Sequence, residues 1–220
     1  MCGRKFSDES LSWSMYREQL KLFTAPPASN FAPNYNIAPT HMVPVCFMED
    51  GEKVLRPLRW GLLPSWAKDV KIGYSMINAK AETVEEKNSF APLLKAHRCV
   101  IPVSGFFEWK RKGKSKQPFA IRRQNGEPIL LAGLWTQNRM LGIDSYTVLT
   151  TQPNDLMAEI HNRMPVILER EDVDRWLDAA WDEAQGLAIR VQSDFLRTYT
   201  VSSDVGNVRN NSPDLIEPVL

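Results

Sequence analysis

The second residue of the chain is a cysteine, in the opening segment Met1-Cys2-Gly3-Arg4. The small side chain at position 2 favours removal of Met1. Removal leaves one residue carrying both an α-amine and a thiol, two carbons apart, which is the spacing that closes a five-membered ring on an aldehyde. An unperturbed α-amine titrates near ~8 and a free thiol near ~8.5, so both are partly nucleophilic near neutrality. Taken alone, position 2 reads as readily as a frayed terminus. Glu108, set between Phe107 and Trp109, is either a carboxyl raised by aromatic burial into a general acid or a surface glutamate on an edge strand. His161 is either a proton shuttle or a capping or packed core histidine. Asn78, ahead of Ala79-Lys80-Ala81-Glu82-Thr83, can orient a substrate or cap a helix. Thr150 and Thr151 close a strand as pocket donors or as caps.

Two segments point toward nucleic acid. The run Lys110-Arg111-Lys112-Gly113-Lys114-Ser115-Lys116 can hold phosphates or serve as a solvated hairpin loop. The stretch from Trp60 to Trp66 can stack on unpaired bases or simply fill the core. Bulk charge does not decide: 27 Lys and Arg against 26 Asp and Glu leave +1, so a nucleic-acid surface must be a local patch.

The cysteines Cys2, Cys46 and Cys99 are too few and odd in number for a disulfide framework. His41, His97 and His161 are scattered, and no spacing resembles a zinc site, so neither metal nor cofactor is expected. Arg4, Lys5, Asp8 and Glu9 exclude a signal peptide reading. No apolar run approaches the ~18 residues of a membrane span. The expected setting is the cytoplasm, with no membrane partner and a monomeric state.

These residues need a scaffold, and the chain supplies one domain over 1–220. Residues 8–22 read as a helix capped by Ser7 or Asp8, and 24–40 as a packed proline- and asparagine-rich coil. Strands at 42–48 and 53–60 flank the hairpin turn Asp50-Gly51. Partly helical character over 80–96 is broken by Pro92, and 98–109 reads as strand, turn and strand. A second hairpin pairs 118–123 with 128–135 around Asn125-Gly126, and 145–150 is a strand. Pro153 starts a short helix through 161, and 171–186 is the clearest amphipathic helix. A last strand at 195–202 precedes a polar tail over 203–220. The sum is an α+β domain with a mainly antiparallel sheet.

Together the motifs resemble the SOS-response-associated peptidase (SRAP) family, the abasic-site processing proteins. The matching pieces run in order from Met1-Cys2-Gly3-Arg4 through Asn36-Ile37-Ala38-Pro39-Thr40, Arg59-Trp60-Gly61-Leu62 and Pro64-Ser65-Trp66 to Asn78-Ala79-Lys80-Ala81-Glu82-Thr83. Cys99-Val100-Ile101-Pro102, Gly105-Phe106-Phe107-Glu108-Trp109, Ala132-Gly133-Leu134-Trp135, Thr150-Thr151 and the His161–Leu168 segment complete them. The resemblance implies a barrel-like curved sheet flanked by helices. It implies binding to single-stranded DNA at abasic sites, including junctions with duplex, in the DNA-damage response and at the nucleoid. It also implies self-removal of Met1, a thiazolidine crosslink and abasic-site strand incision. By motif position the nucleophile is Cys2, the orienting amide Asn78, the carboxylate Glu108 and the imidazole His161. DNA contacts fall on Arg4, Trp66, Lys80 and Arg163, with Thr150 beside them.

Two departures stand out: Lys5 follows the opening motif, and Lys80 replaces the family's usual arginine, keeping charge but losing the bidentate fork. Rival readings are a non-covalent single-stranded-DNA-binding module and a cysteine peptidase acting in trans through Cys2, His161 and Asn78.

Overall fold

Alternating apolar strands set the architecture. The computed structural model describes residues 2–23, 31–113, 115–189 and 195–219. Its strands are β1 (Arg4–Ser7), β2 (Asn34–Ile37), β3 (Met42–Glu49), β4 (Glu52–Trp60), β5 (Asn78–Lys80), β6 (Arg98–Val103) and β7 (Gly105–Lys112). They continue as β8 (Ser115–Arg123), β9 (Ile129–Asn138), β10 (Ile143–Thr151), β11 (Met164–Pro165), β12 (Ile167–Leu168) and β13 (Leu196–Thr200). Among the described residues, four α-helices accompany them: α1 (Trp13–Leu20), α2 (Asp155–Ala158), α3 (Val173–Asp178) and α4 (Trp181–Ile189).

Strands β4, β3, β6, β9 and β10 form a closed barrel. Its neighbours are antiparallel except where β10 returns to β4 in parallel, through Ser145↔Arg59 and Tyr146↔Trp60. Every second residue faces inward, as the strand period requires. Val43, Val45, Phe47, Ile101, Val103, Leu131 and Trp135 share one buried cluster. The intervening Cys46, Val100, Leu130, Ala132 and Leu134 pack in another with Leu20, Trp176, Leu177 and Leu187 of the helices. The Asp50-Gly51 hairpin forms as expected, because both residues take positive φ (51° and 81°), the pattern of a type I′ turn.

A second, antiparallel sheet runs β13-β8-β7-β1-β2. Ser104 alone separates β6 in the barrel from β7 in this sheet, and its hydroxyl donates to Asp8 Oδ1 at 3.0 Å. Phe106, Ile121 and Leu196 join the cluster that fills the barrel, while Phe6, Phe107 and Ala120 pack with Val205, Leu215 and Ile216. The α+β fold with a mainly antiparallel, barrel-forming sheet and flanking helices is therefore as the motifs imply.

Several local expectations differ. The chain at Asn125-Gly126 turns, but β8 and β9 do not pair. β8 bonds β7 and β13, β9 bonds β6, β10 and β12, and the turn carries the chain from one sheet to the other. The first helix starts later than expected because Ser7 belongs to β1, and Ser12 is the N-cap, accepting from the Met15 N–H. The 171–186 helix is split after Asp178. There the buried Arg98 guanidinium takes the carbonyls of Trp176, Leu177 and Ala179. Residues 203–219 are not a loose polar tail. Val205, Leu215 and Ile216 are buried, and Asn36 Nδ2 donates to the carbonyls of Val205, Asn207 and Asn210 at 3.3, 2.9 and 2.9 Å. Met1, residues 24–30 of the predicted coil, Lys114 and Leu220 lie outside the described residues.

Gly133 shows how tightly the barrel closes. A Cβ there would lie 2.6 Å from Ile101 Cδ1, 2.6 Å from the Thr147 carbonyl oxygen and 3.0 Å from Cys99 Sγ. The carbonyl is ladder backbone and cannot yield cheaply. Gly133→Ala is expected to cost about 3 kcal/mol of stability, the upper range for overpacking, read from urea melts against the wild type.

Candidate functional site

The terminal cysteine does not fray. Cys2 is fully buried, in the cluster that holds Trp60, Tyr146, Phe106 and Met157. Burial pushes its thiol up to about 12; the charge of Lys5 opposes that rise and the carboxylate of Glu108 adds to it. The Cys2 carbonyl accepts from Asn78 Nδ2 at 2.9 Å. Asn78 Oδ1 is buried and has no hydrogen-bond partner among the described residues.

Asn78 owes its place to β5, which pairs with the far end of β10 after the barrel has closed: Val148↔Asn78, Leu149↔Ala79 and Thr150↔Lys80. On the other edge of β10, Thr150↔Pro165 and Thr151↔Met164 bring in β11. Asn78, Lys80, Thr150, Arg163 and His161 are thereby gathered around one strand end. Thr150 is buried, its hydroxyl donating to the Ala79 carbonyl at 3.3 Å. Arg163 forks onto Glu82 at 2.8 and 2.7 Å and donates to the Thr150 carbonyl at 2.6 Å. Burial would raise the Glu82 carboxyl, but the hydrogen bonds and charge of Arg163, with Thr151, hold it below its ordinary value. Lys80 is exposed.

His161 follows α2 and is half-buried. The Arg163 backbone N–H donates to its Nδ1 at 3.1 Å, so in the neutral ring the proton sits on Nε2. Glu108 is buried on β7. Strand alternation puts it on the Phe106 face, toward the Cys2 cluster, and puts Phe107 and Trp109 on the opposite face. Two residues on, Lys110 pairs with Glu159 at 3.6 Å, tying β7 to the turn that carries His161. The start of the basic run thus lies at the rim of the site.

Arg4 and Trp66 have different settings. Arg4 points away from the Cys2 cluster: its guanidinium donates to Asn36 Oδ1 and the Val205 carbonyl, both at 2.7 Å, and lies 6.0 Å from the Trp109 ring centroid. Trp66 is 56% exposed. Its loop is nonetheless rigid, because the buried Asn138 amide donates to the Pro64 and Ala67 carbonyls at 2.7 and 2.9 Å. An exposed ring on a clamped loop is a stacking platform in form.

Two residues here carry no overt functional signal in the sequence. Asn138 was hidden because an asparagine at a strand end reads as turn punctuation. Lys5 reads in sequence only as an interruption of the motif, yet it is fully buried beside Cys2. Its place two residues before Ser7 in an alternating strand was the available signal. Among the described residues no group of three or more His, Cys, Asp or Glu side chains is arranged to hold a metal ion. No helix among them is long and apolar enough to cross a membrane.

The chain has relatives in sequence and in structure. The chain is 42% identical to the abasic site processing protein YoqW of Bacillus subtilis (strain 168), over 99% of both chains. It is 32% identical to the abasic site processing protein YedK of Escherichia coli (strain K12), over 84% of each. Among solved structures, a protein from Bacteroides thetaiotaomicron superposes with a TM-score of 0.76 at 25% identity, covering 85% of this chain and 86% of that one. A Bordetella bronchiseptica protein gives 0.75 at 26% identity, over 91% of this chain and 100% of that one. The model of the SOS response associated peptidase (SRAP) family matches residues 1–208, and with a buried Cys2 joined to Asn78 at the heart of the match, the chain belongs to that family.

Proposed function

We propose that this chain processes abasic sites in single-stranded DNA, capturing the sugar aldehyde on Cys2 as a thiazolidine once Met1 has been removed. The observation that carries the reading is the burial of Cys2 beside Asn78 and Glu108, since a terminal residue without a task has no reason to be drawn inside. The family relatives named as abasic site processing proteins support it.

An abasic deoxyribose is mostly a closed hemiacetal. His161 gives a proton to the ring oxygen and opens it. The Cys2 α-amine adds to C1′ and water leaves, giving a Schiff base, with Glu108 carrying the protons. The Cys2 sulfur then adds to the same carbon. Both nucleophiles belong to one residue, so closure is intramolecular and strongly favoured. The Schiff base also allows strand incision by elimination. The unpartnered Asn78 Oδ1 is an acceptor for the α-ammonium or a sugar hydroxyl. Trp66 offers a face to an unpaired base, and Lys80 with Arg163 offers charge to the DNA backbone, whereas Arg4, turned toward Asn36 and Val205, and the buried Thr150 act on the DNA only through the residues they hold.

Intact mass spectrometry with and without an abasic single-stranded oligonucleotide tests the reading. The expected result is a protein lacking Met1 that gains the mass of the DNA less water. A trimmed protein that gains nothing overturns it. Lys80 gives a separate test of the DNA surface. Lys80→Ala is expected to weaken non-covalent binding about tenfold at low salt and to flatten the slope of log K against log salt by about 0.7, the share of one phosphate on a single strand. Fluorescence anisotropy across a salt series measures both.

A further inference from the structure

The reading above leaves one buried charge unused. Lys5 is 0% exposed and faces the barrel cluster, on the opposite side of β1 from Arg4. Its Nζ donates to the Tyr146 hydroxyl at 2.9 Å and lies 3.5 Å from the Trp60 ring centroid and 4.8 Å from that of Tyr146. No carboxylate among the described residues pairs with it. Two aromatic faces and one hydroxyl favour an ammonium, but weakly compared with a counter-ion. An apolar side chain would fill this space at less cost.

The groups around it explain what the amine meets. The Cys2 and Cys99 thiols and the Tyr146 phenol face Lys5, and Glu108 faces Cys2 from β7. Burial pulls Lys5 down to about 7, and the two thiols push it back up. On the Cys2 thiol, the Lys5 charge is the largest influence opposing burial. The missing counter-ion is therefore one that appears only when a neighbouring sulfur ionises.

We propose that Lys5 is a positioning residue for the Cys2 sulfur, its buried ammonium stabilising the thiolate that forms as the ring closes. The inference deepens the thiazolidine reading and rests on it. The S–H bond of Cys2 breaks, its proton passes to solvent and the electron pair stays on sulfur, while Lys5 keeps its own proton. That pair forms the C–S bond at C1′ as the C=N π pair returns to nitrogen. Lys5 touches neither carbon nor nitrogen and acts through charge alone.

The test uses the full chain with Met1 removed. Lys5→Met keeps the bulk and removes the charge, and it exchanges a buried amine for a thioether, so it is expected to melt no lower than the wild type. Two pH profiles are measured: iodoacetamide alkylation of Cys2, mapped by peptide mass, and single-turnover crosslinking to an abasic single-stranded oligonucleotide. Both are expected to move up by about one pH unit, with alkylation at pH 7 about tenfold slower. Tyr146→Phe removes only the hydroxyl partner and is expected to move both profiles the same way by less. A folded Lys5→Met protein with an unshifted alkylation profile overturns the proposal; should that variant fail to fold, an unshifted profile in Tyr146→Phe does so. Alkylation needs no DNA, so the two readings fail separately. A shifted alkylation profile without any wild-type adduct keeps Lys5 and removes the thiazolidine, and a wild-type adduct with unshifted alkylation does the reverse.

Discussion

Cys2→Ser is expected to lose the stable DNA adduct entirely while keeping a reversible one. After Met1 is trimmed, the serine retains the α-amine and can still form a Schiff base at C1′. Its hydroxyl is a far weaker nucleophile than a thiolate, so the ring does not close. Closure by a group on the same residue is worth about 7 kcal/mol or more over bimolecular capture, which is why its loss shows as an all-or-none change in lifetime. Denaturing gels after heating should show no band for the variant, and the same reaction quenched with borohydride should show one. A heat-stable adduct of normal yield from Cys2→Ser removes the thiazolidine from the mechanism.

Glu108 and His161 should separate cleanly, because under the proposed mechanism Glu108 acts on Cys2 in two opposed ways. Its carboxylate raises the Cys2 thiol, so Glu108→Gln is expected to shift Cys2 alkylation to lower pH and make the thiolate easier to reach. Crosslinking should nonetheless slow by about a hundredfold or more, since proton transfer to and from the α-amine is lost. A faster thiol in a slower enzyme is a combination that general loss of structure does not produce. His161→Ala is expected to slow both formation and reversal of the adduct by a similar factor, because ring opening and reclosure both need a proton on oxygen. DNA affinity should stay near wild type in both. Single-turnover crosslinking from pH 5 to 9, with anisotropy for binding, makes the comparison. Wild-type rates and profiles in both variants would leave Cys2 acting with solvent alone.

The parts of this structure that sequence shows well are those whose causes are local. Asp50-Gly51 announces its hairpin because only a turn with two positive φ angles joins those strands, and the alternation of Val43, Val45 and Phe47 declares which side is inside. Pairings between distant segments leave no such mark. The parallel return of β10 to β4, which closes the barrel, joins residues 145–146 to 59–60 with nothing in either stretch to advertise the other. Asn125-Gly126 has the chemistry of a hairpin turn, but only Gly126 takes a positive φ, and what flanks the turn is decided by β13 and β6. The site divides similarly. Cys2, Asn78, Glu108 and His161 stand out as polar residues in motifs, whereas Asn138 and Lys5 act through partners that only the fold brings near: the carbonyls of Pro64 and Ala67 in one case, Tyr146 and Trp60 in the other.

The pairing of β1 with both β2 and β7 has a consequence for how the protein is made. Cys2 leaves the ribosome well before its partners: β7 includes residue 107, Asn78 is held by β10, and the barrel closes only at Tyr146. At roughly 5–20 residues per second, the interval from Cys2 to His161 is on the order of ten to thirty seconds of translation. Throughout it the cysteine is an ordinary thiol on a nascent chain, without carboxylate, amide or imidazole to work with. Cys2 meets the Asn78 amide, and β5 its neighbour on β10, only in a chain long enough for the parallel strand to seal the barrel.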